Sequence, residues 1–86
     1  MTTLIGYHSV KDVDAWLASP RRAEAFATIG VTDIRTFVAP DDPTKVGLVI
    51  EVPDLDAFNA AMAGPDFGQA MVDDGVIPPV TVLVER

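Results

Sequence analysis

Three ionisable side chains carry most of the catalytic potential of this sequence. His8 is the single histidine of the chain, and histidine is the residue whose ordinary pKa lies near neutrality, so it could serve as a general base or acid. Arg35 could hold a carboxylate or enolate oxygen, a task that its planar guanidinium suits. Glu51 could act as a base if burial raised its pKa, but Arg35 and Glu51 could equally form a cross-strand ion pair without any ligand.

Other kinds of site lack the residues that they need. The chain has no cysteine, which excludes disulfides, thiolate metal sites and cysteine nucleophiles. With one histidine, and with carboxylates placed mainly as helix caps or in turns, no metal site is expected, and haem binding through His8 lacks a second ligand. The pairs Asp41-Asp42 and Asp73-Asp74 are expected to be solvated. No phosphate loop, Ser-His-Asp set or dinucleotide fingerprint is present, so any chemistry should proceed without a cofactor.

The charge balance excludes two classes of partner. Thirteen acidic and six basic residues give a net charge of −7, which argues against nucleic acid and against an anionic membrane surface. No segment approaches the ~20 apolar residues of a membrane span, and the N-terminus lacks the pattern of a signal peptide. We therefore expect a cytoplasmic protein, and a length of 86 residues predicts a single domain over residues 1–86.

The elements that position these residues come from a repeat. Residues 10–18 recur as 52–60 in the pattern Val, any, Asp, aliphatic, Asp, Ala, aromatic, any, Ala, an offset of 52 − 10 = 42. Farther along, Gly30-Val31 recurs as Gly75-Val76, an offset of 75 − 30 = 45. Each copy predicts a strand, a helix capped by aspartate and stopped by glycine, and a second strand.

The complete pattern predicts an α+β fold of the ferredoxin-like kind, with the order βαββαβ and a four-stranded antiparallel sheet. Proline should break each helix, at Ser19-Pro20 in the first and at Gly64-Pro65 in the second. The predicted strands are 3–10, 31–39, 45–52 and 80–85, and the predicted helices are 13–18 continued by 20–29, and a second helix after Asp54 that resumes over 66–73.

Alternation along the strands predicts one aliphatic sheet face beneath the helices and one mixed face. The mixed face carries Phe37, Val49 and Leu83 beside Arg35 and Glu51. Apolar groups left in water mark an interface or a ligand groove, so we expect a two-fold homodimer that packs sheet to sheet around a small-molecule cavity.

The orientation of the first strand stays open in the sequence. Tyr7 and His8 point to opposite faces, and the alternation does not decide which of them lines the cavity. Gly6 on the His8 side would leave space for a ligand, which slightly favours His8.

The segments 8–16, 41–43, 51–58 and 70–76, together with Arg35, resemble the dimeric α+β-barrel superfamily. That group includes antibiotic-biosynthesis monooxygenases, muconolactone isomerase and small polyketide cyclases. The resemblance spans essentially the whole chain, and it is strongest to short cyclase-like members in which a histidine precedes a Val-x-Asp-x-x-x-Trp segment, here His8 before Val10, Asp12 and Trp16.

This resemblance implies a cofactor-independent enzyme that isomerises, cyclises or oxygenates an aromatic or polyketide-like substrate at an enolisable carbon. His8 would move the proton and Arg35 would stabilise oxyanion charge, with Glu51 as a further candidate base. The residues expected to shape the pocket are Tyr7, Trp16, Phe37, Val49 and Leu83.

A non-catalytic function is a second hypothesis that fits the sequence. The chain could be a dimeric module that binds a ligand or a partner protein, with His8 as a hydrogen-bonded strand residue. Trp16 corresponds to Phe58 in the repeat, which favours core packing over ligand stacking. Met62, Phe67 and Met71 follow helical spacing and are expected in the core.

Overall fold

The computed structural model describes all 86 residues and has the predicted α+β, ferredoxin-like order. Each helical segment consists of two short helices on either side of a break. The elements are β1 (Thr2–Val10), α1 (Val13–Ala18), α2 (Arg21–Ala27), β2 (Ile34–Ala39), β3 (Asp42–Val52), α3 (Leu55–Ala63), α4 (Pro65–Asp73) and β4 (Val76–Val84).

Local chemistry sets the helix boundaries, as the sequence predicts. The Asp12 carboxylate accepts hydrogen bonds from the amides of Asp14 and Ala15 at 3.1 and 3.2 Å, and Asp54 accepts one from Ala57 at 3.1 Å. These bonds satisfy amides that lack a partner at the start of a helix.

Glycine follows each helical segment in the left-handed region of the backbone. Gly30 has a φ of 80° and Gly75 a φ of 75°, a conformation that glycine adopts without the clash of a Cβ. Both predicted helix stops are therefore confirmed.

The four strands form one antiparallel sheet in the order β2-β3-β1-β4. Each half of the repeat thus supplies one central strand and one edge strand. The sheet differs from prediction by more than one residue at three strand starts. β3 begins at Asp42 rather than at residue 45. β2 begins at Ile34 rather than at residue 31. Val31, in the connection after α2, is instead packed into the core, where it is 1% exposed.

β4 begins at Val76, earlier than predicted, because an irregularity accommodates two prolines within it. Ile77 pairs with Ser9 and Thr81 pairs with Tyr7. The residues between them, 78–80, all lie opposite His8, so the strand bulges there. Proline is tolerated because β4 is an edge strand, where a missing N–H breaks no ladder bond on the open side.

The core lies between the sheet and the helices, so the predicted aliphatic face is confirmed as the helix-covered one. Trp16, Phe58 and Phe67 are buried, as expected for packing residues. The buried side chains form two clusters: Leu4, Phe26, Val31, Ile50, Val52, Phe58 and Phe67 in the larger, and Val10, Trp16 and Val46 in the smaller.

The opposite sheet face, here called the open face, is not covered by any element of the chain. Ile5, Tyr7, Phe37 and Leu83 are exposed on it, Phe37 by 52%. None of the helices combines the length and the apolar character that a membrane crossing requires.

Candidate functional site

The sequence slightly favours His8 over Tyr7 as the residue that faces a cavity between two sheets, and this preference is wrong, because the His8 side chain points towards the helices. Leu4 and Val10 on the same face of β1 are each 1% exposed, whereas Tyr7 between them is exposed on the open face. Gly6 shares the His8 side and lacks a side chain, so space remains beside the imidazole. His8 therefore faces the helix layer of its own chain.

A cavity of about 80 Å³ lies in that layer, between the sheet and the helices, and His8 lines it. Fourteen of its eighteen lining residues are hydrophobic. The polar side chains of its wall are those of His8, Arg22 and Asp74. Of these three, the sequence suggested only His8 as a functional residue, and Asp74 was expected to be solvated.

The tautomer of His8 follows from its backbone neighbour. Nδ1 lies 3.1 Å from the carbonyl oxygen of Ser9, and since a carbonyl can only accept, Nδ1 carries the proton. Nε2 is then the basic nitrogen of the neutral ring. Burial lowers the pKa of His8; the Ser9 hydrogen bond raises it in part, and the charge of Arg22 lowers it further. A neutral imidazole is thus present at physiological pH.

Trp16 joins His8 to Arg22. The imidazole meets the indole edge to face, with ring centroids 5.7 Å apart and planes at 82°. The Arg22 guanidinium carbon lies 4.2 Å from the centroid of the indole, within the range of a cation–π contact. Arg22 Nη1 also donates a hydrogen bond to the Trp16 carbonyl at 3.0 Å. Burial lowers the pKa of Arg22, and the charge of Asp74 opposes that effect, but a guanidinium remains charged in any case.

Asp74 follows α4 and ties it to the break in the first helical segment. Its Oδ1 accepts hydrogen bonds from Ser19 Oγ at 2.6 Å and from Arg21 Nη1 at 3.0 Å. The Asp74 side chain is 6% exposed, against 43% for Asp73. The expectation of a solvated Asp73-Asp74 pair is therefore wrong for Asp74, because two donors replace the water around its carboxylate.

Arg35 and Glu51 lie on the open face, separated by the sheet from the side chain of His8. In the sheet register Arg35 is opposite Val49, and Glu51 is opposite Thr3. Thr3 Oγ1 donates to Glu51 at 2.7 Å. Both ion pairs of the chain are made by Arg21, so the cross-strand pair of Arg35 with Glu51 does not form. Within one chain, the three predicted catalytic residues are not brought together.

The predicted pocket residues are likewise divided between the two faces. Trp16 lines the cavity under the helices, whereas Tyr7, Phe37, Val49 and Leu83 belong to the open face. Tyr7 and Phe37 line a groove of about 510 Å³ on that face, next to the bulge of β4.

The repeat supplies an internal comparison for the polar site. Applying its offsets gives 8 + 42 = 50 for His8 and 22 + 45 = 67 for Arg22. The equivalents in the other half are apolar and either belong to the main core cluster or pack against it. The repeat itself therefore does not dictate polar residues at these positions, since its other copy fills them with hydrophobic side chains. The equivalences are His8 with Ile50, Trp16 with Phe58, Arg22 with Phe67, and Asp74 with Ile29.

This comparison is also the signal that could have identified the two missed residues. Arg22 and Asp74 stand alone as unremarkable surface charges in the sequence, but each occupies a position that is hydrophobic in the other copy. No group of three or more His, Asp or Glu side chains is arranged to hold a metal ion.

Neither a family model nor a curated protein matches this sequence, but several solved structures share its fold. An antibiotic biosynthesis monooxygenase aligns with a TM-score of 0.64 and 20% identity, over 100% of this chain and 97% of that one. SnoaB, a cofactor-independent oxygenase from Streptomyces nogalater, aligns with a TM-score of 0.69 and 20% identity, over 99% of this chain and 92% of that one. A Bordetella bronchiseptica protein assigned to the antibiotic biosynthesis monooxygenases aligns with a TM-score of 0.72 and 17% identity, over 99% of this chain and 94% of that one.

Proposed function

We propose that this chain, which has the fold of the antibiotic biosynthesis monooxygenases, is a cofactor-independent enzyme for an enolisable aromatic or polyketide-like molecule. The observation that carries the proposal is the pairing of a neutral imidazole with a half-buried cation in a cavity whose wall is apolar apart from these two groups and Asp74. His8 and Arg22 both contact Trp16 and both line that cavity. A half-buried base and a half-buried cation that line one largely apolar cavity suit a reaction that makes an enolate.

The first step would be the transfer of a proton from the substrate to Nε2 of His8. The lowered pKa of His8 keeps the base unprotonated at neutral pH, so no activation is required before each turnover. The enolate or phenolate that remains is stabilised by the guanidinium of Arg22 at low local dielectric. Arg22 thereby takes the role that the sequence suggested for Arg35. Isomerisation, cyclisation and oxygenation can all start from this anion.

The cavity must widen to admit an aromatic ring. Its volume of about 80 Å³ is roughly half that of the ~150 Å³ cavity that holds benzene in a protein core. Met62 and Met71 line its wall, and methionine is the apolar side chain that rearranges most easily. Displacement of these two side chains is the expected route by which a substrate makes room.

Two copies packed through their open faces complete the proposal. The exposed side chains Ile5, Tyr7, Phe37 and Leu83 would then be buried against the partner, as expected for an apolar patch of this kind. Arg35 and Glu51 would lie in the enclosed space between the sheets.

A non-catalytic ligand-binding or protein-interaction role is the second candidate, and the open face favours it. The groove beside Tyr7 and Phe37 has a volume of about 510 Å³, within the roughly 300–1,000 Å³ of typical ligand pockets. It lies on the face that carries the exposed apolar residues.

Hydrogen–deuterium exchange at an enolisable carbon tests the enzyme directly, because it detects proton abstraction whatever reaction follows. 2-Tetralone in D₂O with the wild-type protein should exchange faster than in buffer, and His8→Gln should lose about 10²–10⁴-fold of that acceleration. Arg22→Gln should also slow the exchange, whereas Arg35→Gln should leave it unchanged.

The variants separate the two candidate functions. A loss of exchange in Arg35→Gln but not in Arg22→Gln would place the chemistry on the open face. No acceleration by the wild-type protein across a panel of aromatic ketones would leave the binding module as the better account.

A further inference from the structure

The guanidinium of Arg22 is only partly satisfied by the protein. Its single hydrogen bond within the chain goes from Nη1 to the Trp16 carbonyl, and its face stacks over the indole. A guanidinium has several further N–H donors arranged as a fork. No buried side-chain nitrogen of the chain lacks a partner, so the remaining donors of Arg22 reach solvent, and Arg22 lines the cavity.

No carboxylate of the chain pairs with this cation. The adjacent Arg21 contacts both Asp73 and Asp74, at 4.0 and 3.0 Å, and Ser19 also donates to Asp74. Asp74, which lines the same cavity, is thus held by other donors and forms no ion pair with Arg22, although its charge raises the pKa of the guanidinium. On the other side of Trp16 the neutral ring of His8 offers no negative charge.

The partners of this half-buried cation are an indole, one carbonyl and solvent, so no negative charge compensates the hydration that it loses. The fold does not demand one here, because the equivalent position in the repeat is Phe67, which is 9% exposed in the core. The charge of Arg22 therefore points to a role in binding rather than in packing.

We propose that the cavity is a receptor for an amphipathic carboxylate, whose two oxygens bind the guanidinium of Arg22 while its apolar body lies among the hydrophobic wall residues. This inference rests on the proposed function and narrows its substrate class to an aromatic or polyketide-like acid. A guanidinium and a carboxylate match each other in a two-bond geometry. Fourteen hydrophobic residues among the eighteen that line the site require that the rest of the ligand be apolar.

The chain contains one tryptophan and one histidine, and both are in the site, so two specific signals report binding. Indole fluorescence of Trp16 is titrated with benzoate and with its neutral analogue benzamide. Propionate and propionamide repeat the comparison with a body small enough for the cavity before it widens. Each carboxylate should bind at least roughly tenfold more tightly than its amide. Bound benzoate should also raise the pKa of His8, followed by NMR, because it offsets the charge of Arg22.

Variants of Arg22 provide the decisive comparison. Arg22→Met should remove the preference for carboxylate while leaving the weak binding of the amides, and Arg22→Lys should restore part of it, since a lysine keeps the charge without the fork. Urea denaturation of both variants checks that they are folded. Sodium phosphate, an anion without an apolar body, should change neither signal.

Each contrary result has a distinct meaning. Equal binding of acids and amides, or a preference that survives in Arg22→Met, would overturn the carboxylate receptor and leave the proton chemistry of His8 intact, since 2-tetralone exchange tests that chemistry with a neutral molecule. Phosphate binding as tight as benzoate binding would replace an amphipathic ligand by any anion. Failure of all four organic probes to bind would overturn this inference, and failure of the exchange assay as well would overturn the proposed function.

Discussion

Exchanging one pair of equivalent residues between the two halves of the repeat separates function from folding. His8→Ile places in the first half the residue that the second half already has, and Ile50→His makes the reverse change. The two positions lie on the same face of the two central strands. His8 is half-buried, whereas Ile50 is 2% exposed.

The first substitution should leave stability nearly unchanged at about pH 7.5, where the imidazole is neutral. It removes the hydrogen bond to the Ser9 carbonyl, a loss of about 1 kcal/mol. Full burial of an isoleucine contributes about 1.5–3 kcal/mol, so a half-buried site returns about 1 kcal/mol. The two contributions cancel to within about 1 kcal/mol.

The reverse substitution should be severe. Ile50→His loses the whole burial contribution of about 1.5–3 kcal/mol. It also places a polar ring without a partner among Leu4, Phe26 and Phe58, at a cost of about 1–3 kcal/mol. The free energy of unfolding should therefore fall by roughly 2.5–6 kcal/mol. Urea denaturation followed by far-UV circular dichroism measures both variants, and the exchange assay should find His8→Ile folded but inactive.

Acid adds a second measurement with a defined sign. Burial lowers the pKa of His8 below its usual 6.5, so in mild acid the unfolded chain takes up a proton more readily than the folded one. The contribution of the neutral imidazole to the free energy of unfolding is fully present above about pH 6.5. It is lost as the pH falls from there through the pKa of His8 in the folded chain. His8→Ile has no imidazole to protonate, so its free energy of unfolding should rise relative to that of the wild type as the pH drops. Because His8 is the only histidine, this difference isolates its titration.

Two results would refute this reasoning. A loss of more than about 2 kcal/mol in His8→Ile would make the histidine a structural residue, and the repeat would no longer identify the polar site as functional. If the free energy of unfolding of the wild type instead rose relative to that of His8→Ile in acid, the folded chain would stabilise the imidazolium. That result would be contrary to the burial of His8 beside Arg22.

Further predictions concern the ends of the polar cluster and the open face. Asp74→Asn should lower the free energy of unfolding by about 1–2 kcal/mol, because it removes the charge that Arg21 contacts in a nearly buried setting. The exposed Asp73→Asn should stay within about 0.5 kcal/mol; equal losses in urea denaturation would contradict the role of Asp74. Phe37→Asp should convert a dimer to a monomer in sedimentation velocity with its circular dichroism unchanged, and a monomeric wild type would rule out the open face as the interface.

The sequence predicted those parts of the fold that local chemistry decides. Asp12 and Asp54 cap helices because a carboxylate can reach the first free amides, and Pro20 and Pro65 mark breaks because proline has no N–H to donate. The start of β4 could not be predicted in this way. Two prolines normally argue against a strand, and only the position of β4 at the sheet edge permits them.

The site was less predictable because it depends on register and on long-range packing. Glu51 bonds to Thr3 rather than to Arg35 because of how β1 aligns with β3, which alternation within one strand cannot reveal. Arg22 and Asp74 approach the same cavity from different helical segments, and neither has a sequence neighbour that marks it. His8 is a candidate because its residue type is unique in the chain, but the direction of its side chain could not be predicted.

The bulge of β4 has a consequence for how copies of this chain can associate. An edge strand offers unpaired N–H and C=O groups to any extended segment, and such edges promote growth into fibrils. Pro78 and Pro79 have no N–H groups, so a strand from another chain cannot form backbone hydrogen bonds along the full length of this edge. Sideways polymerisation is blocked at one end of the strand, while stacking through the broad face of the sheet is unaffected. The sequence therefore hinders open-ended growth along the β4 edge, although the open face is rich in exposed apolar side chains.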